Sequence, residues 1–196
     1  MHIPTDITRR RIGTWQAIGA GLLWAASLAA AAESAPGPRL ETDRFLIQFL
    51  PRTPEQVAAF YEARGLPDVA RAEIARACFI TVHIENRGED LIWLDVPGWH
   101  IQGPDGPVER IPRAWWFERL REIGTPAAGR STFRWTLLPE QRDLLPTESV
   151  GGNITLQRTD RPFTITAWFD TGADRRGDPI RVEFRNLRCP RGEGAP

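Results

Sequence analysis

From Cys78 onward the hydrophobic pattern of the chain has a period of two. In CFITVHIEN, Cys78, Ile80, Val82 and Ile84 alternate with Phe79, Thr81, His83 and Glu85, as expected of a strand with one buried face. The short apolar run RFLIQFL (Arg44 to Leu50) predicts an earlier strand, and LIWLDV and WHIQ predict two later ones. NRGED and GPDGP supply the turns between them. STFRWTLL reads as a further strand, with Phe133, Trp135 and Leu137 on one face. GGNITLQ and PFTITAWFD read as a hairpin pair across RTDR. In the last strand, IRVEFRNLRC, the alternation of Ile180, Val182 and Phe184 slips by one before Leu187 and Cys189. That slip predicts a bulge near Asn186.

Two stretches break the period. TPEQVAAFYEARG carries a helix start, with Thr53 as N-cap, Pro54 at the first position and Gln56 completing a capping box; Gly65 supplies the stop. A second short helix is expected from Val69 to about Ala77, making a helical hairpin over 53–77. The second stretch, RIPRAWWFERLREIGTP, predicts a helix inserted at 111–123. At about 100° per residue, Trp116, Phe117, Leu120 and Ile123 fall within one arc, a stripe suited to burial. Trp115 falls on the far side, near Glu118, Arg119 and Glu122. It either packs under a neighbouring loop (Pro97–Trp99 or Pro139–Pro146) or stands exposed as an interface anchor with Arg119.

Six to eight short alternating strands separated by turn signals argue for a mainly β fold, an antiparallel sandwich. The N-terminus changes where such a fold is expected to reside. Arg9, Arg10 and Arg11 precede the apolar run Ala17 to Ala32, which ends in Ala30-Ala31-Ala32. This pattern predicts a signal peptide over 1–32, cleaved after Ala32; the alternative is an uncleaved anchor over Thr14 to Ala32. TRRRIG resembles a twin-arginine signal only faintly, so the general export route is favoured. Residues 33–43 read as a flexible leader, 44–189 as a single domain, and 190–196 as a disordered tail. The expected location is periplasmic or secreted, with no stable membrane anchor after cleavage. In an oxidising compartment Cys78 and Cys189 most simply form one disulfide.

ITVHIENRGEDLIWLDVPGWHIQGPDG resembles the opening strands of bacterial extracytoplasmic immunoglobulin-like domains. LLPTESVGGNITL resembles a later turn and strand of the same domains. The two matches cover about a quarter of the chain that remains after cleavage. The resemblance implies an Ig-like β-sandwich, here with the helical hairpin and the inserted helix as departures. It also implies an interaction module of the export compartment. It transfers no catalytic residue.

Composition narrows the chemistry further. All 25 basic residues are arginine. Beyond the expected cleavage point 22 arginines stand against 24 carboxylates, a net of −2, so the electrostatic footprint of a nucleic-acid binder is absent. His83 and His100 are the two histidines left after cleavage, and a metal site could use both with a carboxylate such as Glu85 or Asp95. Neither histidine belongs to a compact His-x-x-x-His or Cys-x-x-Cys pair. Ser34, Ser131 and Ser149 lie outside any Gly-x-Ser-x-Gly setting, and VGGN lacks the lysine and helix of a phosphate loop. Arg176-Gly177-Asp178 reads as a turn before Pro179. No cofactor is implied. The expectation is therefore a non-enzymatic exported module that binds a protein or envelope component through Trp115, Arg113 and Arg119. The alternative is a carrier that holds a small ligand or metal in the cleft between the helical hairpin and the sandwich.

Overall fold

The structure, a computed structural model, describes residues 37–192. The expected signal peptide (1–32), residues 33–36 of the leader and the last four residues lie outside the described residues. In chain order the elements are β1 (Arg39–Glu41), β2 (Phe45–Arg52), α1 (Pro54–Glu62), α2 (Asp68–Ala75), β3 (Cys78–Asn86), β4 (Ile92–Asp95), β5 (His100–Gly103) and β6 (Gly106–Pro107). They continue with α3 (Arg113–Glu122), α4 (Ala127–Thr136), β7 (Gln141–Leu144), β8 (Ser149–Leu156), β9 (Phe163–Thr171) and β10 (Ile180–Leu187).

The alternation of β3 does what its sequence predicts. Cys78, Ile80, Val82 and Ile84 enter the main core, while Phe79, Thr81, His83 and Glu85 take the opposite face. The first sheet runs β1-β2-β3-β8 and is antiparallel throughout. The second is built around β9, with β10 along one edge and β4 followed by β5 along the other. Ile92 faces Thr171 and His100 faces Thr166. One chain thus advances eight residues while the other retreats five. The 3-10 turn Val96–Gly98 takes up the difference. Phe45 meets Phe169 at 4.8 Å and Phe49 meets Phe184 at 4.9 Å, so the two sheets share one core, a sandwich-like arrangement. Each large side chain buried this way contributes about 1.5–3 kcal/mol. The bulge in β10 lies where the pattern places it: pairing shifts between Phe184 and Leu187, and Asn186 adopts φ 60°, a conformation asparagine tolerates well.

The Cys78–Cys189 disulfide joins the start of β3 to the chain just past β10, with Cα atoms 5.4 Å apart. Arg158 reinforces this corner by donating to the carbonyls of Ala77 (3.0 Å) and Pro190 (2.8 Å), the neighbours of the two cysteines. Pro190, the first residue of the expected disordered tail, is therefore tied down. A disulfide closing so long a loop fits an extracytoplasmic protein. No described helix is long and apolar enough to cross a membrane.

Four expectations are corrected. Residues 39–41, assigned to the flexible leader, form β1 on the edge of β2. Residues 141–144, expected as loop, form β7 beside β4. The expected hairpin of β8 with β9 does not form: β8 pairs with β3 and β9 with β10, so residues 157–162 cross from one sheet to the other. STFRWTLL is not a strand: its first six residues complete the helix α4, entered at Pro126, and Leu137 leaves it in an extended conformation to bridge Asn153. Phe133 and Leu137 lie four apart, a spacing that shares a face in both a strand and a helix. Trp135 between them distinguishes the two, and it is 80% exposed. Four helices therefore stand where a hairpin and one insertion were expected.

These helices form a layer on the outer face of the first sheet. The capping box opens α1 as predicted: Thr53 Oγ1 accepts from the Gln56 amide, and the Gln56 side chain accepts from the Thr53 amide. A second core joins Val57 and Tyr61 of α1, Ile74 of α2, Trp116 and Leu120 of α3 and Phe133 of α4 to Phe79 on the sheet. Arg71 links α2 to Glu62 of α1 (2.8 Å), and Arg119 links α3 to Glu73 of α2 (2.6 Å).

Candidate functional site

The helix layer is shorter than the sheet beneath it. Opposite positions on β3 and β8 make rungs on the outer face: Phe79 with Thr155, Thr81 with Asn153, and His83 with Gly151. The first rung is roofed by α3, where Trp116 Nε1 donates to Thr155 Oγ1 at 2.8 Å and the Trp116 ring packs against Phe79 and Phe133. Above the second rung lies a groove of about 540 Å³. Gln56, Val57, Phe60 and Tyr61 of α1 form one wall, and Trp135 and Thr136 at the end of α4 line it as well. Phe79, Thr81, Asn153, Gly151 and Gly152 come from the sheet, and Arg52 from the end of β2.

The two glycines have different roles. A Cβ on Gly152 would lie 2.4 Å from the Leu138 amide nitrogen, so this position must be glycine for Leu137 and Leu138 to approach β8, where they bridge Asn153. At Gly151 a Cβ would meet nothing closer than 3.6 Å. Its lack of a side chain leaves that part of the groove open.

A fixed line of hydrogen bonds runs through the groove. Arg52 Nε donates to Thr81 Oγ1 (2.9 Å), which donates to Asn153 Oδ1 (2.8 Å); Asn153 Nδ2 donates to the Thr136 carbonyl (2.9 Å). Thr136 Oγ1 donates to the Phe133 carbonyl (2.7 Å). A hydroxyl has one proton, so in the 2.6 Å contact between Tyr61 and Thr136 the tyrosine is the donor. Tyr61 packs against Phe133 at 5.2 Å and Phe79 at 6.2 Å. Burial pushes its hydroxyl up to about 12. The groove lining includes no carboxylate, and Arg52 forms no ion pair among the described residues, its hydrogen bond being the one to Thr81.

The residues expected to bind a partner are only partly gathered. Trp115 is 45% exposed and stands edge-on to Trp116 at 4.9 Å. Of the two dispositions open to it, exposure beside Arg119 is the one observed. The two line a depression of about 420 Å³ with Glu73, Glu118 and Glu122. Arg119 pairs with Glu73 and, at 3.6 Å, with Glu122, and its hydrogen bond holds the Glu73 carboxyl below the usual range. Arg113 does not join them. Its Nη2 donates to the Arg134 carbonyl and its amide to Glu140, and burial lowers its pKa. Trp116 and Leu120 are buried as the helical projection predicts, with Ile123 packed against the same core; Phe117, expected in the same stripe, is only half-buried and lies 5.9 Å from the Arg134 guanidinium instead.

The two histidines are not brought together. His83 faces outward from the first sheet across from Gly151, whereas His100 lies on β5 of the second sheet, edge-on to Trp168 at 4.7 Å. Among the described residues no group of three or more His, Cys, Asp or Glu side chains is placed to hold a metal ion.

The groove residues Arg52, Phe60, Tyr61, Trp135 and Gly151 were not singled out in the sequence. Two signals were present: paired glycines inside a strand, which mark a close approach or an unfilled face, and a tryptophan on a helix face with no apolar neighbour.

No family model and no curated protein matches the chain. One solved structure is similar, a "putative lipoprotein (ycdA)" from Bacillus subtilis subsp. subtilis str. 168, with 10% sequence identity and a TM-score of 0.38. The match covers 76% of this chain and 39% of that one. The chain thus spans well under half the length of the structure it resembles, and a likeness this distant carries no argument about function.

Proposed function

We propose that this protein is an exported, non-enzymatic module, periplasmic or secreted after cleavage at Ala32, whose Ig-like sandwich carries a small and largely apolar ligand. The ligand lies between the helical hairpin and the first sheet. The observation that supports this reading is the groove of about 540 Å³ with Phe60, Tyr61, Phe79 and Trp135 around it. Binding clefts for small molecules fall at about 300–1,000 Å³ and combine apolar walls with a few fixed polar groups. Neutral N-phenylnaphthylamine, which fluoresces in apolar surroundings, tests it. The protein should bind the probe with one-to-one stoichiometry, and Gly151→Leu, whose side chain enters the groove without a backbone clash, should abolish binding while leaving the melting temperature intact. Probe binding that is absent, or unchanged in Gly151→Leu, refutes the reading.

A second reading is favoured by the exposure of Trp115 next to Arg119. This pair is a docking point for a protein or envelope component, as large exposed aromatics beside arginine often are. Capture of a partner from envelope extract that is unchanged in Trp115→Ala would remove that reading.

A further inference from the structure

The polar groups of the groove say more about its ligand than its volume does. Resting on the carrier reading above, we propose that the groove selects an anionic amphiphile of the long-chain carboxylate class. Its head group meets the Nη1 and Nη2 groups of Arg52, and its tail lies against Phe60, Tyr61 and Trp135. The argument counts donors and acceptors. Each hydroxyl proton of the internal line is spent on a protein acceptor: Thr81 on Asn153, Thr136 on Phe133 and Tyr61 on Thr136. Asn153 Oδ1 is occupied by Thr81. Arg52 uses only its Nε, on Thr81. Among the described residues the N–H groups of Nη1 and Nη2 have no protein acceptor, and no carboxylate forms an ion pair with the guanidinium. The polar capacity left over at Arg52 is therefore purely donor and positively charged.

Arginine presents such donors in a planar fork that matches a carboxylate in two parallel bonds. The bond from Nε to Thr81 fixes the fork's orientation before a ligand arrives, which reduces the ordering cost of binding. A cationic head group would meet like charge, and a neutral alcohol would leave the charge of Arg52 without a counter-ion in a half-enclosed site. Other arginines without a carboxylate partner use their terminal nitrogens on backbone carbonyls, as Arg64 does on Phe60, Arg130 on Thr125 and Arg158 on Ala77 and Pro190.

Competition against bound N-phenylnaphthylamine decides the matter, with decanoate, decanol and decyltrimethylammonium as competitors of equal tail length. Decanoate should displace the probe at a concentration about tenfold below decanol, the advantage expected of a charge-assisted hydrogen bond, and decyltrimethylammonium should be the weakest. Arg52→Gln should bring decanoate level with decanol while leaving probe affinity within about twofold, and Arg52→Lys should restore part of the preference. Equal displacement by decanoate and decanol in the unaltered protein overturns the anion inference and leaves the carrier reading standing. So does a preference that survives Arg52→Gln. Absence of probe binding, or binding insensitive to Gly151→Leu, overturns both.

Discussion

Raising the pH should act on this fold through one residue. Tyr61 is the chain's single tyrosine, it is 1% exposed, and its side chain forms part of the groove wall. Removing its proton would leave a phenolate among Phe60, Phe79 and Phe133. That is why burial raises its pKa from 10.0 to about 12. The sign of the linkage follows. The folded state holds the proton more tightly than the unfolded chain, where tyrosine titrates at about 10. The associated stability is present in full below pH 10 and falls as pH rises from there towards 12. A difference of two pKa units corresponds to about 2–3 kcal/mol over that window. Tyrosinate absorbance in the near ultraviolet reads the event, and with one tyrosine the signal needs no deconvolution. The folded protein should titrate near 12, or ionise only as far-ultraviolet circular dichroism is lost, whereas the protein in urea should titrate near 10. A midpoint near 10 with the circular dichroism intact would mean that Tyr61 is open to water. The packing of α1 and α4 against the sheet, and the groove wall with it, would then be wrong.

Other perturbations follow from the same packing. Replacing Cys78 and Cys189 by serine should lower the stability measured by urea unfolding by about 3–5 kcal/mol, because the cross-link spans 111 residues of sequence; a loss under about 1 kcal/mol would contradict this. Gly152→Ala should destabilise by about 1–3 kcal/mol, since its Cβ meets the backbone of Leu137 and Leu138. Gly151→Ala should stay within about 0.5 kcal/mol, and equal effects at the two glycines would count against the close approach of Leu137–Leu138 to β8. In thermal unfolding Trp116→Ala should cost about 3–5 kcal/mol and Trp115→Ala about 1 kcal/mol or less. A reversed order would place the wrong tryptophan in the core.

What was legible in the chain, and what was not, divides by the range of the interaction. The capping box of Thr53 and Gln56 is local, and it forms as read. The alternation of β3 and the slip at Asn186 are also local, because side-chain direction within a strand has a fixed period. The disulfide was legible by arithmetic, as two cysteines allow one pairing. Elements with little pattern of their own were missed. QRDL in β7 carries one buried residue, Leu144, and RLE in β1 carries none; both are strands because an open edge lay beside them. The helix α4 was missed because Phe133 and Leu137 satisfy two periods at once. The groove was the least legible feature. Its surfaces come from residues 52–61, 79–81, 135–136 and 151–153, and no local rule brings those segments together. The crossing of residues 157–162 between sheets belongs to the same class: β8 pairs with the distant β3, and β9 lies between its neighbour β10 and the distant β4 and β5, so the two do not pair with each other.

The two candidate surfaces differ in how their charges are used, and this difference ranks them. At the Trp115 depression the cation is already spent: Arg119 is held by Glu73 at 2.6 Å and approached by Glu122. Arg113, which was expected to add a second positive charge, is turned toward Arg134 and Glu140. A partner there would have to break an internal ion pair or rely on the exposed ring alone. In the groove the reverse holds. The hydroxyls and the Asn153 carbonyl oxygen are satisfied within the protein, Tyr61 and Phe79 are held by a core that extends through Phe133 and Trp116 while Phe60 and Trp135 stand exposed beside them, and Arg52, the one charged residue of the lining, has no ion-pair partner among the described residues. Binding there would supply a counter-ion that Arg52 lacks among the described residues. A preformed surface with one unmet electrostatic requirement needs less reorganisation to bind than a surface whose charges are already matched, and that ranks the proposed carrier reading of the groove above the proposed docking of a partner on Trp115.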